Sequence, residues 1–196
     1  MRSPAYMIFA VALGIASPAW SDFDLGVEAY MRGEYEIALN EFTGLARAGH
    51  SGAQYNLWLM YNHGFGVERD IYEAVEWWRR AATQGHVSAQ YNLGLVYEGD
   101  DEIAEDYLEA ARWCRSAAEQ GHSNAQNNLG MLYESGLGLE RNTILALMWF
   151  EFSAAGGNVV ARNNVGTLTR KMSAAQMLLG RRAAYDCSTN LRRCPR

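Results

Sequence analysis

His50, His86 and His122 stand 36 residues apart, and imidazole is the commonest protein ligand for a transition metal, so the first chemistry this spacing suggests is a metal site. Geometry argues against it. Equivalent atoms on stacked helices lie about 8–10 Å apart, whereas zinc ligands must converge to about 2 Å from one ion. The fourth copy of the position is Asn158, and a place that takes either His or Asn after a glycine reads as turn and cap chemistry. A second candidate is the acidic stretch of Glu98, Asp100, Asp101, Glu102, Glu105 and Asp106. A calcium loop sets its oxygen ligands at alternating places around a sharp glycine turn, and Asp100-Asp101-Glu102-Ile103-Ala104 lacks that order. It reads as a solvated loop able to select partners by charge. The sequence holds no nucleophile elbow, phosphate-binding glycine loop or zinc-protease helix motif. The expectation is a protein that is not an enzyme and needs no metal or cofactor.

The side chains left for recognition are amides and phenols. Tyr55 and Asn56 recur as Tyr91 and Asn92, then as Asn127 and Asn128 and as Asn163 and Asn164. On a helix these places lie about 100° off the apolar stripe, so stacked copies form a column. An amide both donates and accepts, which suits a peptide backbone of unspecified sequence. The same periodicity equally serves bonds between neighbouring repeats, and both readings stand at this level.

The elements that position these residues follow from the repeat itself. Ala53-Gln-Tyr-Asn-Leu57 returns at 89–93, 125–129 and, in altered form, 161–165. Ala53, Leu57, Met60 and Tyr61 make the apolar stripe of a first helix, A, which Gly64-Phe65-Gly66 ends. Asp70 and Glu73 open a second helix, B, with a capping signal that recurs as Asp106 with Glu109 and as Asn142. Helix B carries Ala74, Trp77, Trp78 and Ala81, then Ala110, Trp113, Cys114 and Ala117, then Ala146, Trp149, Phe150 and Ser153. Small residues let helices approach and aromatics fill the space between units. Gly85, Gly121 and Gly157 close each helix B. A divergent first unit spans 22–50, and Ser173 with Gln176 opens a last helix reaching about Tyr185. A helical pair of this size cannot bury its apolar face alone, so the units must stack.

Ala-x-Tyr-Asn-Leu-Gly-x-x-Tyr, a glycine-bearing loop, Asp, Ala-x-x-Trp and Ala-Ala-x-x-Gly-His together resemble the Sel-one-like repeat, a relative of the tetratricopeptide repeat. The resemblance is strong over 51–170 and weak over 23–50. It implies an all-α, right-handed α/α superhelix of about four and a half helical hairpins with a C-terminal capping helix and basic tail over 171–196. It also implies an adaptor for protein complexes that binds a protein or peptide in its concave groove. Two departures stand out. Trp58 occupies the place of Gly94, Gly130 and Gly166, where two helix backbones nearly touch. Cysteines paired within every repeat, as in some secreted members, are absent.

Net charge is −5, divided between an acidic body with 9 basic and 21 acidic residues over 1–159 and a basic end with 8 basic residues and Asp186 over 160–196. Acidic repeats exclude a nucleic-acid footprint. Arg2, the apolar run Tyr6 to Ala16, and Ala19-Trp20-Ser21 before Asp22 form an export signal over 1–21, predicting the bacterial periplasm, or secretion, with no membrane span after cleavage. In that compartment Cys187 and Cys194, with six residues between them in the tail, are placed to close a small disulfide loop. Cys114 falls at a core position and is expected to be a packed free thiol. A regulatory inhibitor of an envelope sensor is the nearest alternative function, and an envelope or cell-wall hydrolase a more distant one.

Overall fold

The computed structural model describes residues 22–99 and 102–189, and they are all helix and connecting turns. The expected export signal, Asp100, Asp101 and Cys194 lie outside these residues. Four hairpins follow in chain order: α1 (Asp22–Met31) with α2 (Tyr35–Arg47), α3 (Ser51–His63) with α4 (Ile71–Thr83), α5 (Val87–Glu98) with α6 (Tyr107–Glu119), and α7 (Ser123–Ser135) with α8 (Thr143–Ala155). A lone helix A, α9 (Val159–Thr169), and then α10 (Ala174–Thr189) complete the described residues. The helices of the hairpins pack on their sequence neighbours, which is the one-dimensional connectivity of a solenoid. Among the described residues no helix is long and apolar enough to cross a membrane.

The caps fall where the sequence places them. Oδ1 of Asp70 accepts from the backbone N–H of Tyr72 and Glu73, and Asp106 and Asn142 repeat the arrangement at α6 and α8. Gly85, Gly121 and Gly157 adopt φ of 89°, 87° and 91°, a region that excludes ordinary side chains at these helix ends. Ser173 and Gln176 form the reciprocal capping box, with Gln176 Oε1 accepting from Ser173 N at 2.9 Å and Ser173 Oγ from Gln176 N at 3.3 Å. The helix they open runs past the expected end at Tyr185 to Thr189, so Cys187 sits inside it, fully buried.

Within a unit, helix A meets helix B where the sequence has its glycine. A methyl added to Gly94 would overlap Cys114 Sγ, and one added to Gly130 would lie 2.6 Å from the Phe150 ring. Trp58 departs from this arrangement by lying flat on Trp78, with ring centroids 3.6 Å apart and 9° between planes. A stacked pair thus replaces a close backbone crossing in the second unit.

The end of the solenoid is built differently. α10 leaves α9 and packs on α8. The cause is visible in α8, where Leu145, Met148 and Phe152 replace Glu73, Glu76 and Arg80 of α4 and Glu109, Arg112 and Ser116 of α6. A face that is solvated in the earlier units is apolar here, and α10 covers it. Leu147 is fully buried against Gly180, and Arg181 Nε pairs with Glu151 at 3.2 Å alongside. Full burial of one such leucine stabilises by about 1.5–3 kcal/mol. In exchange α9 keeps an open flank: a methyl on Gly166 would meet nothing within 4 Å.

Candidate functional site

The three periodic histidines act as helix N-caps. Nδ1 of His50, His86 and His122 accepts the backbone N–H of Ala53, Ala89 and Ala125 at 3.1, 3.3 and 3.2 Å, and Oδ1 of Asn158 does the same for Ala161 at 3.0 Å. Accepting at Nδ1 requires the neutral ring. Burial lowers the pKa of both His86 and His122 from the usual histidine value, which favours that form.

The string Ala-Gln-Tyr-Asn-Leu divides its work letter by letter. Ala53, Leu57 and their copies Ala89, Leu93, Ala125 and Leu129 are fully buried. The glutamine, unremarked in the sequence, is a polar staple between units. Nε2 of Gln54 donates to Ala46 O at 3.0 Å in the preceding helix B, while its Oε1 accepts from Gln84 Nε2 at 2.7 Å. Gln90 repeats both bonds with Ala82 O and Gln120, and Gln126 donates to Ala118 O. The signal was the paired recurrence of Gln54, Gln90 and Gln126 with Gln84 and Gln120.

The tyrosines lean on the next unit's cap. Tyr55 stacks on His86 with centroids 5.2 Å apart, and Tyr91 lies 4.5 Å from His122. Where tyrosine becomes Asn127 the paired histidine becomes Asn158, so the aromatic contact disappears from both sides together. Asn127 instead accepts from Asn164 Nδ2 at 2.9 Å.

The asparagine column runs along the seam between successive helices A, since its bonds join α9 to α7 through Asn164 and Asn127, and α7 to α5 through Asn128 and Glu98. This is also where α5 and α7 approach each other directly. The eight expected partner-binding residues divide along it. Asn127 and Asn128 are buried and bonded within the protein, and Asn164 is bonded to Asn127. Tyr55 and Tyr91 are half-buried against histidine. Asn56 and Asn92 are partly exposed, Asn163 is exposed, and among the described residues none of these three has a hydrogen-bond partner for its side chain.

The acidic stretch is only in part the solvated loop that its composition suggests. Glu98 closes α5, half-buried on the seam, where it accepts from Asn128 Nδ2 at 3.4 and 3.5 Å and from Cys114 Sγ at 3.6 Å. Glu102 pairs with Arg69 of the preceding unit, and Asp106 is the cap of α6. The loop takes this path because Glu102 stands where Gly66 and Gly138 lie against the backbone of the preceding helix B with φ of 70° and 66°. Cys114 is buried and free as expected, and desolvation raises its thiol pKa far above the usual range. The partner expected for Cys187, Cys194, lies outside the described residues.

The repeat geometry agrees with known proteins. The Sel1 repeat model matches three times, at residues 51–86, 87–122 and 123–158. A Sel1 repeat protein from Oxalobacter formigenes has a solved structure that is 35% identical, with a TM-score of 0.67, over 72% of this chain and 58% of its own. The protective antigen c5321 of uropathogenic Escherichia coli, which displays an SLR fold, is 29% identical over 83% of this chain and 44% of its own, with a TM-score of 0.46. The chain thus spans less than two thirds of the length of either relative. No curated protein matches the chain. Three consecutive family matches over more than half of its length, on helical pairs whose caps and core repeat in the same register, place this chain in the Sel1 repeat family.

Proposed function

We propose that the protein is a periplasmic adaptor, without catalytic activity of its own, that holds a peptide or protein segment along the seam of its helices A. Folds of this family commonly mediate contacts between proteins. The observation that carries the reading is the state of Asn56 and Asn92. They are equivalent amides in successive units, partly exposed and without a side-chain hydrogen-bond partner among the described residues, whereas Asn128 and Asn164 at the same place are consumed by stacking. A buried amide that bonds its neighbour stabilises the fold; an open one in a row with it is available to an extended backbone. The histidines support a non-catalytic role because each spends its acceptor nitrogen on a helix cap. The export pattern of residues 1–21 supports the compartment.

The test is site-specific photo-cross-linking in the intact envelope, with the reactive group at position 92 on the seam and, as control, at the exposed position Arg112 on helix B. The expected result is one protein joined through position 92 and not through 112, with yield reduced at least tenfold by Asn56→Ala. Equal yields from the two positions, or yield unaffected by Asn56→Ala in a folded protein, would overturn the assignment.

A further inference from the structure

Among the described residues, Glu98 is the carboxylate on the seam whose charge meets no opposite partner. It is half-buried, and its neighbours are the Asn128 amide, the Cys114 thiol and the Tyr91 phenol, with no Arg, Lys or His within ion-pair distance among the described residues. Amide donation at 3.4 and 3.5 Å is long for a charge-assisted bond, which is usually about 2.7–2.9 Å. An ionised group so placed is desolvated without full compensation. Consistently, burial raises the Glu98 pKa above the ordinary carboxylate value against the lowering effects of Cys114 and Asn128.

The next unit shows what fills such a place. Glu134, 36 residues on, pairs with Lys171 Nζ at 3.6 Å. Lys171 follows Glu134 by 37 residues, and the residue that follows Glu98 by 37 is Ser135, whose hydroxyl bonds the carbonyls of Met131 and Leu132. The chain therefore supplies a cation to one of two equivalent carboxylates and leaves the other without one, half-buried on the seam that also carries the unpartnered Asn92. In the remaining full unit the position is Asn62, so the open charge marks a single place along the groove. The acidic body of the protein adds long-range attraction for a positive ligand.

We propose that Glu98 is the seat for a basic side chain, arginine or lysine, of the segment held in the groove, so that the adaptor selects a peptide with a positive residue at one fixed register. This rests on the groove reading above and adds its specificity. A guanidinium or ammonium would replace the long amide contact by a charge-assisted bond, with Asn128 and Tyr91 flanking it.

The probe is N-acetyl-arginine methylamide, titrated at neutral pH and low salt into the protein carrying carbon-13 at glutamate side-chain carboxyls and observed by NMR. The Glu98 resonance and the Asn128 side-chain amide are expected to shift saturably, with citrulline in place of arginine giving no shift. Glu98→Gln abolishes the Asn128 response. Ser135→Lys, which leaves Glu98 intact and supplies the internal cation as Lys171 does for Glu134, weakens the response at least fivefold. An unshifted Glu98 resonance, equal shifts from arginine and citrulline, or an unchanged response in folded Ser135→Lys would each overturn the proposal. Cross-linking through position 92 is independent of these outcomes, so loss of the basic seat alone is distinguishable from loss of the groove.

Discussion

Alanine placed at Gly130 and at Gly166 should change stability in opposite directions, although both glycines sit at the same place in the repeat. Alanine is favoured over glycine inside a helix by about 1 kcal/mol, and that gain applies to α7 and α9 alike. At Gly130 the new methyl would lie 2.6 Å from both Cδ1 and Cε1 of Phe150, a fully buried ring. Carbon atoms rest at about 3.5–4.0 Å, so the ring must move by most of an ångström within a packed core. Overpacking of this kind costs about 1–3 kcal/mol, and the ring's confinement puts Gly130→Ala toward the upper end, for a net loss of about 1–2 kcal/mol. At Gly166 nothing lies within 4 Å, because α10 packs on α8 and leaves this flank of α9 open, so the propensity gain stands uncancelled.

Urea denaturation followed by circular dichroism measures both. The expected midpoints bracket the wild type, with the pair separated by about 2–3 kcal/mol. Thermal midpoints should differ in the same sense, by about 2–4 °C per kcal/mol for a chain of this size. Phe150→Leu in the Gly130→Ala background should recover part of the loss, giving a coupling above about 0.5 kcal/mol. If Gly130→Ala is as stable as Gly166→Ala, the helix crossing is not the close contact described and the reason for the repeat's glycine fails.

His86 and His122 have folded pKa values below the usual histidine value. The unfolded chain therefore binds protons first, and stability should fall as pH drops through about 6.5 and level off below the folded values. His122→Asn, which adopts the cap used at Asn158, should flatten part of that slope in urea midpoints taken on either side of it. Leu147→Ala removes a fully buried side chain under α10 and should cost about 2–4 kcal/mol. Hydrogen exchange should locate the resulting loss of protection in α8 and α10 rather than in α3 and α4. Cys114, buried beside Glu98 with its thiol pKa raised, should resist iodoacetamide in the folded protein and react once urea unfolds it; prompt labelling in native buffer would contradict its placement.

Features that recur in identical chemical form were legible in the sequence. Asp70, Asp106 and Asn142 cap because a short acceptor before an apolar run has one local use, and Gly85, Gly121 and Gly157 turn because only glycine enters that region readily. The histidines were legible as caps because Asn158 replaces them. The docking of α10 was written in the apolar replacements Leu145, Met148 and Phe152. That signal exists only as a difference between units at one position, since the composition of α8 by itself says only that it is buried. Trp58 was legible as an exception, but its resolution depended on Trp78 lying opposite it.

The amide and acid positions were illegible for a different reason. Repeat register fixes where a side chain lies, whereas its hydrogen bonds depend on residues one unit away. Asn92 and Asn128 are the same letter at the same place; Asn128 bonds Glu98, 30 residues before it, whereas Asn92, with Asn62 at that separation, has no side-chain partner among the described residues. Glu98 and Glu134 are likewise the same letter, and the presence of Lys171 or Ser135 decides which of them is neutralised. The bonding state of a side chain in a stacked repeat is thus decided by pairs of positions at separations near the period, such as 30 and 37. A single column of equivalent residues exposes the scaffold and conceals the site. If Ser135→Lys silences Glu98 while leaving the fold and Asn92 untouched, then one substitution outside the column will have changed the specificity of a residue within it.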